Sequence, residues 1–176
     1  MIKFNDALLK INEEVLKKYP TAAFYEAQGY LIPTNNVGCK VDGTVNEKTF
    51  KSVYTLRGDK PLTIFGTLNE DGTVKIEEIY DIWMEDVIMT PYVPLSAEYA
   101  IELLCKKYGN DVVGEGPIVL RHQLFYGEPE PRYFFGTFMD THTVNVYTER
   151  IDVPAGHDKL SKTVKKVKNI LKGWFF

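Results

Sequence analysis

The strongest constraint on this chain is that it repeats itself. Ile64-Phe65-Gly66-Thr67-Leu68, followed by Thr73-Val74-Lys75-Ile76, returns as Phe134-Phe135-Gly136-Thr137-Phe138, followed by Thr143-Val144-Asn145-Val146. The offset is a constant 70 positions. Upstream of each copy a helix-like segment closes in the same way, Leu16-Lys17-Lys18-Tyr19 and Cys105-Lys106-Lys107-Tyr108. Self-similarity at this scale implies one supersecondary unit used twice. It constrains the architecture and leaves the function open.

Local patterns give the unit its content. Asn5 or Asp6 caps a first helix whose Leu8, Ile11, Val15 and Tyr19 share one face, and Pro20 ends it. A strand from Ala22 to Ile32 leads into an irregular insert at about 33–49. Strands follow at 50–56 and 62–68, and Asp71-Gly72 marks a tight hairpin before a return strand from Thr73 to Trp83. Pro91 and Pro94 separate the halves. Ser96 then caps a second helix through Ile101, Leu104 and Tyr108, with Gly109-Asn110 as its stop. Strands are predicted from Pro117 to Tyr126, Arg132 to Met139 and Thr143 to Asp152.

The predicted class is therefore α+β, with two tandem helix–antiparallel-sheet repeats at residues 1–92 and 93–153. Each alternating strand has one apolar face, so both helices are expected on one face of the sheet. Residues 154–176 read as a basic amphipathic C-terminal helix.

Charge narrows the partners. The net charge of −3 is unevenly spread: from Asp158 onward six lysines face one aspartate, a tail of +5, which leaves −8 on the rest. An acidic body argues against nucleic acid, whose phosphates need clustered Lys and Arg. The tail carries Leu160, Val164, Val167 and Leu171 along one stripe and closes on Trp174-Phe175-Phe176. Such a helix can lie on an anionic membrane, and the opposite charge of the body favours docking there instead. No apolar run reaches the roughly 20 residues of a membrane span. The opening Met1-Ile2-Lys3-Phe4-Asn5-Asp6 has no apolar signal core, so a cytoplasmic location is expected. There Cys39 and Cys105 are expected reduced rather than bridged.

Chemistry-bearing patterns are sparse. His122, His142 and His157 share no metal-ligand spacing, and no nucleophile signature surrounds either cysteine. Gly114-Glu115-Gly116-Pro117 lacks the preceding strand and following helix of a phosphate loop. No catalytic residue, metal or cofactor is assigned. The acidic stretch Glu77, Glu78, Asp81, Glu85 and Asp86 either guards a sheet edge or meets a basic partner, with Glu77 and Asp81 as binding candidates. Aromatics crowd the second unit. If Phe134 and Phe138 face the core, alternation turns Tyr133 and Phe135 outward, where with Tyr147 they could anchor a partner.

A repeated helix followed by antiparallel strands, with Lys-Lys-Tyr closing each helix, resembles the PepSY-like modules of bacteria. The tandem form is similar to the two-copy architecture of β-lactamase inhibitory proteins. The resemblance covers about 20–85 and 95–153 and implies a binding or inhibitory module without catalytic residues. The leading expectation is a non-enzymatic protein-binding module, of inhibitor or immunity type, whose aromatic sheet face meets a partner with a basic surface. The alternative is a small-ligand binder with a pocket between sheet and helix. An enzyme using Cys39 or a His–carboxylate pair ranks last. A second copy of the chain is a further candidate partner.

Overall fold

The computed structural model describes residues 1–34, 38–82, 90–122, 130–136 and 141–153. Among the described residues the chain is α+β, with two α-helices and one ten-stranded antiparallel sheet. In chain order the elements are β1 (Ile2–Lys3), α1 (Phe4–Lys18), β2 (Ala23–Leu31), β3 (Thr44–Val45), β4 (Lys51–Leu56), β5 (Leu62–Leu68) and β6 (Val74–Tyr80). Then come α2 (Ala97–Tyr108), β7 (Gly116–Arg121), β8 (Arg132–Phe135), β9 (His142–Asn145) and β10 (Ile151–Asp152). The strands lie in the order β10-β9-β8-β7-β2-β4-β5-β6, with β1 and β3 attached beside β2. β2 is the seam, because it pairs with β4 on one side and β7 on the other.

Register shows how the helices cover the sheet. Ile76, Gly66, Ser52, Ala27, Leu120, Tyr133, Val144 and Ile151 stand opposite one another across eight strands. They therefore share one face. Gly66 identifies it as the helix face, since a Cβ built there would lie 2.1 Å from Ile11 Cγ2 of α1. A register shift between Phe24 and Glu26 keeps both Phe24 and Ala27 on this side, and both are buried. Leu8, Ile11 and Val15 of α1 and Ala97, Ile101 and Leu104 of α2 complete one core with Ile64, Leu120, Tyr133 and Val144. Burying this stripe, rather than intrinsic propensity, holds a 15-residue helix in place.

Four expectations are corrected. First, α1 begins at Phe4, ahead of the Asn5 or Asp6 expected as its cap. The β1–β3 pair delivers the chain directly into the helix, and the Phe4 N–H donates to Gly43 O at 2.9 Å. That contact serves one of the donors that a helix start leaves unpaired.

Second, the strand from Thr143 to Asp152 is broken. Asn145 Oδ1 accepts from the N–H groups of Tyr147 and Thr148, both at 2.9 Å, and folds β9 back onto β10.

Third, the two hairpins are out of phase. Ile64 stands opposite Glu78, so a strict 70-residue repeat would set Phe134 opposite Thr148, yet it faces Thr143. A shift of five positions is odd, and an odd shift exchanges the two faces of a strand. Ile64 thus points at the helices and Phe134 away from them. Tyr133 and Phe135, expected outward, are core residues at 0% and 2% exposure.

Fourth, Cys39 and Cys105 form a disulfide, with Cα atoms 6.0 Å apart. Folding lays the irregular segment after Gly38 along α2, where the Lys40 N–H also donates to Asn110 O. Of the other sequence expectations, the helix at 154–176, the ends of three strands beyond Ile82, His122 and Gly136, and Glu85, Asp86 and His157 lie outside the described residues. No helix among the described residues is long and apolar enough to cross a membrane.

Candidate functional site: the sheet face opposite the helices

With one face of the sheet buried under α1 and α2, the other face is where surface chemistry collects. Part of it is buried as well: Val53, Thr55, Thr63, Arg132 and Asn145 are 0–4% exposed. One row carries Glu77, Phe65, Val53 and Glu26 from β6 to β2, and Arg121, Arg132 and Asn145 continue it through β7, β8 and β9. A neighbouring row sets Gln28, Val119, Phe134, Thr143 and Asp152 side by side. These strands alternate because one side meets the core, so polar and charged residues fill the positions between apolar ones.

Arg121 is the centre of the arrangement. Its guanidinium carbon lies 5.2 Å from the centroid of the half-buried Phe134 ring, within cation–π range. One of its terminal nitrogens is 3.9 Å from Glu26 Oε2. Burial pushes the Glu26 carboxyl above its ordinary range, while Arg121 and Lys51 pull it back. The face thus keeps a partly desolvated carboxylate beside a guanidinium and an aromatic ring.

Towards β10 the face is closed by a polar network. Arg132 is 2% exposed, and its Nη1 donates to Asp152 Oδ2 at 2.5 Å and Thr143 Oγ1 at 3.2 Å. Arg150 Nε donates to the other oxygen of Asp152 at 3.1 Å. The fully buried Asn145 donates from Nδ2 to Glu130 Oε2 at 2.6 Å. A buried guanidinium is tolerable only when its charge is matched in this way.

The five residues singled out from sequence are not brought together. Tyr133 and Phe135 are in the core. Glu77 sits exposed on β6, and Asp81 lies just beyond it at φ 62°, its N–H donating to Pro61 O at 2.8 Å. Tyr147, 51% exposed, is in the β9–β10 turn at the opposite end of the sheet. Sequence reasoning missed Glu26, Arg121, Arg132, Phe134 and Asp152 as a group. A signal existed: Glu26 and Arg121 interrupt apolar strands, and a charge inside such a strand marks its second face.

A separate cavity of about 230 Å³ lies at the far end of α2, lined by Val112, Val113, Glu115, Pro117, Phe135 and His142. The Tyr108 ring stands 6.0 Å from that of His142 beside it. The glycine pair at 114 and 116 lines this cavity as well. Among the described residues no group of three or more His, Cys, Asp or Glu side chains could hold a metal ion. No family model, no curated protein and no solved structure matches this chain.

Proposed function

We propose that this chain is a non-enzymatic binding module, of inhibitor or immunity type, that holds a protein partner on the sheet face opposite its helices. The observation that carries this reading is the Arg121–Phe134–Glu26 centre. Arg and aromatic side chains on a partly desolvated surface, ringed by polar groups, are the usual composition of an interface hot spot. Glu77 and Glu26 on the β6-to-β2 half, with the −8 charge outside the tail, favour a partner that is basic where it meets them. We read the architecture as two PepSY-like helix–sheet units sharing β2 at their seam, the second hairpin out of phase with the first. The Cys39–Cys105 disulfide supports an oxidising compartment, rather than the cytoplasm, as the place of action.

The test is capture from lysate of the source cells, followed by titration of the purified partner. Phe134→Ala is expected to weaken binding by about tenfold or more. Glu77→Lys is expected to slow association and reduce its salt dependence. Equal binding by folded Phe134→Ala, or an acidic partner, would overturn the reading. The cavity beside His142 supports the second reading, a small-ligand binder. Ligand-dependent thermal stabilisation lost in a Val113→Trp variant would favour it.

A further inference from the structure

We propose that the Cys39–Cys105 bridge is a thiol-sensitive lock on a strap, residues 38–41, that lies along α2. The strap is on the helix side of the sheet, so the device is separate from the proposed partner face.

Beyond the strap the chain is anchored several times over. Lys3 Nζ donates to Asp42 O at 2.8 Å, and it pairs with Asp42 Oδ2 at 3.0 Å and with Glu98 Oε1 of α2 at 2.8 Å. The Phe4 N–H donates to Gly43 O, and the Ile32 N–H donates to Thr44 O at 3.1 Å. Gly43 passes so close to the start of α2 that an added Cβ would lie 2.8 Å from Glu98 Cγ, and its φ of 81° suits glycine.

The strap itself is held less firmly. The Lys40 N–H reaches Asn110 O across 3.3 Å. Lys40 Nζ pairs with Asp111 at 3.1 Å, but these side chains are 61% and 81% exposed, and a solvated ion pair contributes little. Val41 is fully buried. The bridge is the remaining tie, and Cys39 Sγ also lies 4.0 Å from Ile101 O. Without the bridge, one aliphatic side chain and one long hydrogen bond stand against the conformational entropy of a freed loop. Gly43 then marks the hinge, because every anchor from Asp42 onward stays in place.

The chemistry is thiol–disulfide exchange with a dithiol. Cys39 is partly exposed and Cys105 is 6% exposed, so the reagent reaches the bridge at Cys39 Sγ. A thiolate of the dithiol attacks there, the S–S bond breaks, and Cys105 leaves as a thiolate that takes up a proton. The second thiol of the reagent then attacks the first and releases Cys39. The dithiol ends as a cyclic disulfide, and both cysteines end as thiols. Release uncovers α2 beside Ile101 and Cys105 and leaves the sheet paired.

Brief trypsin digestion of the full chain, read by mass spectrometry, tests this. Cleavage after Lys40 requires the strap to leave α2, whereas cleavage after Lys10 in α1 or Lys51 in β4 requires the fold to open. Cys39→Ala with Cys105→Ala is expected to speed cleavage after Lys40 by about tenfold or more over the bridged wild type, and to leave cleavage after Lys10 and Lys51 slower than that by a similar factor. Dithiothreitol without urea is expected to reduce the bridge in the folded protein, so that iodoacetamide labels Cys39. Equal cleavage after Lys40 with and without the bridge, or cleavage at all three lysines rising together, would overturn the proposal. So would a bridge that resists dithiothreitol until the chain is unfolded.

Discussion

Asn5 and Tyr133, 128 positions apart, share a hydrogen bond in which Asn5 Nδ2 donates to the Tyr133 hydroxyl at 3.0 Å. The same hydroxyl donates to Leu95 O at 3.0 Å, and Asn5 Oδ1 accepts from the Ala97 N–H at 2.9 Å. One amide and one phenol thus tie the start of α1, the start of α2 and the middle of β8. Burial pushes the Tyr133 phenol above its ordinary range, so it stays protonated and remains a donor.

Tyr133→Phe leaves the Asn5 amide and the Leu95 carbonyl short of a partner and is expected to cost about 1–3 kcal/mol. Asn5→Ala should cost at least as much, because it also strips the Ala97 N–H of its acceptor. The double variant should lose less than the two single losses added together. Urea unfolding midpoints at constant slope measure all three.

Gly66 leaves no room for a side chain. A Cβ there would sit 2.1 Å from Ile11 Cγ2 and 3.3 Å from Ser52 Oγ, so α1 would have to lift off β5. Gly66→Ala is expected to destabilise by more than about 3 kcal/mol, the upper end of overpacking costs. Adding Ile11→Ala should recover part of that loss. Thermal unfolding of the single and paired variants tests it, and a neutral Gly66→Ala would show that α1 sits elsewhere.

The disulfide joins residues 66 apart in sequence. Closing a loop of that length restricts the unfolded chain by about 4 kcal/mol in the chain-entropy model. Reduction, or Cys39→Ala with Cys105→Ala, is expected to lower the unfolding free energy towards that amount. Alkylation of denatured, unreduced protein followed by mass spectrometry should find neither cysteine labelled.

Acid should loosen the contact between α1 and β6. Glu78 accepts from Lys18 Nζ at 2.5 Å, from the Tyr19 hydroxyl, and from the Tyr80 hydroxyl at 2.6 Å. These bonds hold its carboxyl at about 2, against an ordinary value of 4.5. A carboxylate with a lowered folded value contributes stability that is complete above the ordinary value and lost as pH falls towards the lowered one. The window is thus from 4.5 down to about 2. Glu78→Gln is expected to flatten the fall in stability there, and carboxyl NMR titration should place Glu78 well below the exposed glutamates.

Much of the local structure was legible from residues alone. Ser96 caps α2 by accepting the Tyr99 N–H at 3.2 Å, and Gly109 ends it at φ 101°. Gly72 turns the β5–β6 hairpin at φ 80°. Caps and turns are decided by the conformations open to a few adjacent residues, and so they can be read along the chain. The candidate face was not legible in this way. Phe134 belongs to it and Tyr133 does not only because β8 pairs with β7 and β9 in one register rather than the next.

By itself the sequence determined the two helices, the alternation of most strands, the class and the acidic balance of the body. Tertiary structure alone decided the seam at β2, the disulfide, the inversion of β8 relative to β5 and the joining of Glu26, Arg121 and Phe134. The reason is physical: alternation divides a strand into two sets of side chains, and only pairing with its neighbours settles which set meets the core.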